Sequence, residues 1–145
     1  MPLESRILIV TLVVLLFTLC SLTMALKVVV SKAGTACANG VYLQQSPSSI
    51  PSGFAKVCRK SRWDTNSMWA QLTNGKTPWY LKDDEAYIYY NVGDNKWWID
   101  APEGHGLYVS FAPDPDDPSP PTAGWVDLAG GELPLPEVSS GSDEL

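Results

Sequence analysis

The sequence predicts an all-β domain, a small antiparallel sandwich, barrel or rolled meander of about seven or eight short strands. Three observations lead there. Short runs rich in Val, Tyr, Trp, Leu and Phe recur at spacings near ten residues, with turn pairs such as Asn39-Gly40 and Asn74-Gly75 between them. Beyond the first 25 residues no stretch carries a convincing helical pattern. Residues 86–100 (AYIYYNVGDNKWWID) place two aromatic runs on either side of Asn, Gly and Asp. Aromatic and β-branched side chains suit a pleated surface, and Asn and Gly tolerate turn dihedrals. That stretch therefore reads as a hairpin carrying much of the core.

The 145 residues allow one domain with appendages. Residues 1–25 stand apart. Arg6 precedes an unbroken apolar run, Ile7–Leu19, and Thr23-Met24-Ala25 offers small residues where a signal peptidase reads. The layout predicts a secretory signal peptide cleaved after Ala25. An uncleaved membrane anchor is the alternative, since nineteen residues from Ile7 to Ala25 fall within the roughly 17–25 that span a bilayer. Residues 26–111 hold the predicted strands: Val28–Val30, Val41–Leu43, Phe54–Arg59, Met68–Leu72, Pro78–Leu81, the hairpin, and Leu107–Phe111. In Phe54–Arg59 strict alternation would bury Lys56 beside Phe54 and Cys58, which leaves the register open by one residue. Residues 112–138 form a proline-rich acidic arm, with five prolines and three aspartates between Ala112 and Pro121. Trp125 is expected to fold back from it onto the β body as a clasp. Residues 139–145 read as a flexible tail, with disorder expected beyond Pro136.

That tail ends Ser142-Asp143-Glu144-Leu145, which resembles the Lys-Asp-Glu-Leu type of endoplasmic-reticulum retrieval signal. The resemblance implies a lumenal resident with a retrieval receptor as partner; secretion, or anchoring as a type II membrane protein, is the alternative. Signal removal takes Cys20 away and leaves Cys37 and Cys58. An even pair in an oxidising compartment predicts one disulfide, worth about 3 kcal/mol for a loop of this size. Charge is uneven. Residues 26–111 carry nine Lys/Arg and seven Asp/Glu, whereas residues 112–145 carry eight acids and no base. A nucleic-acid binder would show the opposite bias.

Read in order, Asn39-Gly40-Val41-Tyr42, Tyr87-Ile88-Tyr89-Tyr90, Trp97-Trp98-Ile99-Asp100, Leu107-Tyr108, Pro120-Pro121-x-x-Gly124-Trp125 and Gly131-x-x-Pro134-x-Pro136-x-Val138 resemble a small β module. That module occurs in single or tandem copies in many uncharacterised eukaryotic proteins, especially from protists and marine invertebrates. The likeness spans about Val28 to Val138. It implies a fold unit that includes the Trp-containing arm, and it implies no enzymatic role.

Chemistry is thinly represented. His105 is the one histidine and sits between two glycines in a loop, so neither a metal shell nor an acid–base pair is expected there, and no cofactor is implied. Asp83-Asp84-Glu85 reads as a charged turn. Asp94 with Asp100 would act as a carboxylate pair only across a cleft. The basic cluster Arg59–Arg62 reads as a solvated strand end, or as a patch for an anionic partner. The aromatics point to binding. Neighbours on a strand face opposite sides, so Trp97 and Trp98 cannot share an interior. Trp97 beside Tyr87 or Tyr89 is the candidate ligand-binding face for a glycan or a client polypeptide; a two-layer fold covering both faces is the alternative. The expected function is thus a non-enzymatic binding module of the secretory lumen. The alternative is an accessory subunit that holds a resident partner by a β edge or by its acidic tail.

Overall fold

The structure is a computed structural model that describes residues 25–142. Among them are eight strands: β1 (Leu26–Ser31), β2 (Gly40–Gln45), β3 (Trp79–Leu81), β4 (Tyr87–Asn91), β5 (Lys96–Asp100), β6 (Gly106–Phe111), β7 (Trp125–Asp127) and β8 (Glu137–Ser142). They form one antiparallel sheet in the order β7-β6-β5-β4-β3-β2-β1-β8, curled into a half-barrel. Seven strands run as a plain meander, and the eighth returns to pair with the first. The predicted antiparallel β architecture is present, and the hairpin of residues 86–100 is β4 and β5, with Tyr90 opposite Trp97 and Tyr89 opposite Trp98.

Register follows from which side chains must leave water. On the inner face Val28 lies opposite Tyr42 and Val30 opposite Val138. Tyr80 lies opposite Ile88, Ile88 opposite Ile99, and Ser110 opposite Trp125. Apart from Ser110, these residues belong to one core cluster with Leu107 and Tyr108. A slip by one residue would turn this set outward, and each large apolar member contributes roughly 1.5–3 kcal/mol by its burial. The register is therefore fixed by many side chains at once.

Two segments expected as strands are helices. Phe54–Arg59 lies within α1 (Ser52–Ser61), and Met68–Leu72 lies within α2 (Thr65–Leu72). In α1, Phe54 and Cys58 face the sheet while Lys56, Arg59 and Lys60 are exposed, so neither lysine of this helix is buried. Its end is a Schellman closure. Arg62 is left-handed, its N–H bonds to the Arg59 carbonyl, and the Trp63 N–H reaches the Cys58 carbonyl. The basic cluster is thus the solvated C-terminal turn of a helix, where cations also suit the macrodipole. In α2, the Asp64 carboxylate caps the first turn by accepting from the Ser67 N–H at 2.8 Å. Both helices lie on the outer face, where Phe54, Cys58 and Trp69 form a second cluster with Trp79, Tyr87 and Tyr89.

The β body also extends past Phe111. Trp125, expected as a clasp, is a strand residue, 4% exposed in the inner core. Ser139–Gly141, expected to be flexible, belong to β8, which pairs with β1 from Leu26–Ser142 to Ser31–Glu137. The disulfide is absent. Both thiols are free, Cys37 against the inner cluster and Cys58 in the outer one. A disulfide needs Cα atoms within about 7 Å, and these side chains pack on different faces of the sheet.

Candidate functional site

The three aromatics expected to form a binding face are all buried: Tyr87 is 0%, Tyr89 5% and Trp97 1% exposed. Nor do they share a face. Tyr87 and Tyr89 lie in the outer layer beneath α1 and α2, with Tyr89 centred 5.5 Å from Trp69 and 6.4 Å from Phe54. Trp97 points into the half-barrel, 5.7 Å from Tyr90 and 6.2 Å from Tyr80. It is Trp98, half-buried, that stacks on Tyr89 at 29°. The rule that neighbouring residues take opposite faces holds, but both faces are covered. No aromatic platform is offered to a sugar by these three residues.

The tyrosines of the inner face do something else. Each sends its hydroxyl out of the core into a loop. Tyr42 donates to the Ala38 carbonyl at 2.8 Å, Tyr80 to the Pro118 carbonyl at 2.7 Å, and Tyr90 to Asn95 Oδ1 at 2.6 Å. Tyr108 accepts from the Thr35 N–H and donates to the Glu132 carbonyl. Burial holds the Tyr42, Tyr80 and Tyr90 phenols in their neutral donor form, and the Tyr80 hydroxyl is pushed up to about 12, chiefly by desolvation.

The Tyr80 bond draws the proline-rich segment back over the mouth of the half-barrel. Residues 112–124 leave β6, touch β3 at Tyr80, and return to β7, where the Trp125 indole donates to the Pro121 carbonyl at 2.9 Å and Ser110 to the Ala123 carbonyl at 2.9 Å. Between this segment and β8 lies a pocket of about 390 Å³. Trp97 forms part of its wall, with Pro113, Pro120, Pro121 and Ala123; Asp114, Asp117, Ser119, Thr122 and Ser140 supply its polar groups. Asp114 and Asp117 each cap their own turn, accepting from the Asp116 and Ser119 N–H groups, which leaves carboxylate oxygens directed to solvent. No base lines the pocket. Of the residues expected to bind, Trp97 lines this cavity and Tyr87 and Tyr89 do not, and its partners there come from segments read as appendages.

The remaining candidates do not converge. His105 is exposed in the β5–β6 loop, where its carbonyl accepts from Ala101. Asp94 accepts from the Trp98 indole at 3.1 Å within the β4–β5 turn. Asp100 lies six residues away, about 20 Å along an extended strand, so the two carboxylates cannot act together. Asp84 is tied to Lys82, and Glu85 accepts from the Ser52 hydroxyl at 2.7 Å. Among the described residues no cluster of His, Cys, Asp or Glu could hold a metal ion.

Asp100 is the exception to ordinary carboxylate behaviour. It is 4% exposed, and burial pushes its carboxyl up to about 7. The neighbouring Tyr87 hydroxyl lowers it somewhat, yet neither that hydroxyl nor Asp100 Oδ1 completes a well-formed hydrogen bond. Both lie where α1 meets the sheet. A Cβ at Gly53 would sit 2.7 Å from the Pro102 carbonyl and 2.8 Å from the Tyr87 ring. The pair has no access to a ligand. Its buried, incompletely bonded polar atoms are a cost to the fold that grows once Asp100 ionises.

No protein-family profile matches the chain, and no curated protein or solved structure shows significant similarity to it. The retrieval-signal residues Asp143, Glu144 and Leu145 lie outside the described residues, as does the expected signal segment apart from Ala25, while the Ser142 backbone ends β8. Among the described residues no helix is long and apolar enough to cross a membrane.

Proposed function

We propose that this protein is a non-enzymatic binding module of the secretory lumen, and that it takes a polypeptide at the mouth of the half-barrel. One observation carries the reading. The predicted binding residue Trp97 lines a pocket of about 390 Å³ whose other walls are chiefly prolines, hydroxyls and two carboxylates. That lining offers hydrogen-bond acceptors and apolar surface without a nucleophile held by a base, which favours binding over catalysis. With Trp97 1% exposed, little ring face is left to stack on a sugar, and a polypeptide suits the site better than a glycan. The resemblance to a small β module that implies no enzymatic role agrees with this.

The lumenal address rests on Ile7–Ala25 and Ser142–Leu145, with an endoplasmic-reticulum retrieval receptor as the further partner. β1 starts at Leu26, so cleavage after Ala25 would leave the sheet whole. Because Ser142 belongs to β8, the clean test removes Asp143–Leu145 alone. Secretion into the medium should rise; if it does not, the signal is inert.

The binding site is tested with an array of overlapping peptides of mixed composition, probed with the chain lacking residues 1–25 and with its Thr122→Trp variant, which plugs the pocket from an exposed position. Binding that the plug abolishes supports the assignment. Peptide binding that the plug leaves intact moves the site elsewhere, and signals on a glycan array with none on peptides overturn the reading.

A further inference from the structure

Sheet edges are where proteins acquire unwanted strands, and most are blunted by lysine, proline, a bulge or brevity. The two edges of this half-barrel differ in that respect. β7 has three residues. β8 has six, Glu-Val-Ser-Ser-Gly-Ser, with neither proline nor lysine, and its one charge, Glu137, is turned to Lys32 at 2.8 Å. All six pair in register with β1 without a bulge, and β8 ends the sheet, so its other edge has no strand partner among the described residues. Ser139, Ser140 and Gly141 are exposed. A Cβ at Gly141 would meet nothing within 4 Å, so open space lies over the face of the strand at that position.

The open edge adjoins the pocket. Val138 belongs to the inner core and Ser140 lines the pocket, so alternate residues of β8 face the half-barrel mouth. A strand laid beside β8 would share that alternation and send every second side chain over the same mouth. There it would meet Asp114 and Asp117 with no base among the lining residues. Resting on the binding-module reading above, we infer that β8 is a strand-addition site for an extended segment of another polypeptide that carries Lys or Arg at alternate positions. Main-chain hydrogen bonds to β8 give the affinity, and the two aspartates select the side chains.

The test uses fluorescein-labelled heptapeptides and the chain lacking residues 1–25, with anisotropy as the readout. The probes are an alternating arginine–valine peptide, its glutamate–valine counterpart, and two arginine–valine peptides N-methylated at every second amide, one for each edge of the strand. The arginine–valine peptide is expected to bind. One methylated form should lose binding and the other keep it, because only one edge faces β8. Asp114→Asn with Asp117→Asn, which preserves both turn caps, should weaken binding about tenfold at low salt, in line with two partly exposed ion pairs. Equal binding of both methylated forms, equal binding of the glutamate peptide, or no binding of any heptapeptide overturns the inference. So does a chain that self-associates and buries β8 against a second copy. If the mixed-composition array still yields ligands that the Thr122→Trp plug blocks, the module reading survives while the strand-addition site falls.

Discussion

Asp100→Asn is expected to stabilise the domain near pH 8 and to leave it almost unchanged near pH 4. In the folded chain Asp100 keeps its proton up to about pH 7, because burial disfavours the charge; in the unfolded chain it releases it near its ordinary value of 3.8. The folded state therefore binds more protons across that window, and stability must fall as pH rises from about 4 to about 7 before levelling off. Three pH units at about 1.4 kcal/mol each amount to about 4 kcal/mol, comparable to much of the stability of a small domain. Asn has nearly the same shape and no charge to release, so it removes the slope. Other carboxylates work in a different window. Burial pushes Asp84 up, but the Lys82 ammonium and the Ala86 N–H outweigh it and hold the group low, and the Ser67 N–H holds Asp64 low. Groups lowered in this way lose their contribution only as pH falls below about 4. Urea midpoints followed by tryptophan emission between about pH 4 and pH 8 give the comparison directly. Parallel curves for the native chain and the variant would refute the argument, as would a native chain that gains stability between pH 5 and pH 7.

Other substitutions probe other parts of the account. Tyr87→Phe removes a buried hydroxyl that completes no bond and should stabilise by about 1 kcal/mol, while moving the Asp100 transition to higher pH because a lowering influence is gone. Gly53→Ala should cost about 1–3 kcal/mol by overpacking, since the new methyl meets the Pro102 carbonyl and the Tyr87 ring; an unchanged denaturation midpoint would show that α1 sits farther from the sheet. The chain lacking residues 1–25 should show two titratable thiols in denaturant without reductant, Cys58 staying unreactive until unfolding because it is 1% exposed. Fewer than two would restore the disulfide. Tyr80→Phe should speed amide exchange at Asp117 and Ser119 by releasing Pro118, with little change at the β4–β5 hairpin.

The strands were legible wherever period and chemistry agreed. Val28–Val30, Val41–Leu43 and the hairpin alternate, carry β-branched or aromatic residues, and are bounded by Gly or Asn. Phe54–Arg59 misled because residues four apart share a face in a strand and in a helix alike. The discriminating residue was Lys56, two along from Phe54, which a strand would bury and a helix turns to solvent. At α2 the segment read as a strand because Trp69 suits a pleated surface, whereas the Asp64 carboxylate, by accepting from the Ser67 N–H, starts a helix there. β8 was hidden for a different reason. A run of serines and glycine has no strand propensity of its own, and it becomes a strand because Val138 completes the inner core opposite Val30. That is tertiary context, which local reading does not contain. The pocket was invisible for the same cause, since it needs Trp97 and Ser140, 43 residues apart, on one side of a curled sheet.

The surplus of aromatic residues, which invited a ligand-binding face, has a structural use. A half-barrel of short strands has two open ends, and its connecting segments lack regular structure over much of residues 112–136. Phenylalanine could fill the interior, but it could not reach out of it. Tyrosine buries a ring and delivers a hydroxyl to the rim, and Tyr42, Tyr80, Tyr90 and Tyr108 each fasten a different loop in this way. The consequence for function is a separation of duties. Aromatic side chains set the shape of the mouth from inside, and what the mouth presents to solvent is prolines, hydroxyls, two carboxylates and the free edge of β8. On the binding reading proposed above, such a surface has little apolar ring to offer and much backbone, so its selectivity would come from strand geometry and charge. Changing the aromatics should therefore unfold the domain or loosen its loops before it alters which partner is chosen, whereas Asp114 and Asp117 should alter the choice and leave the fold alone.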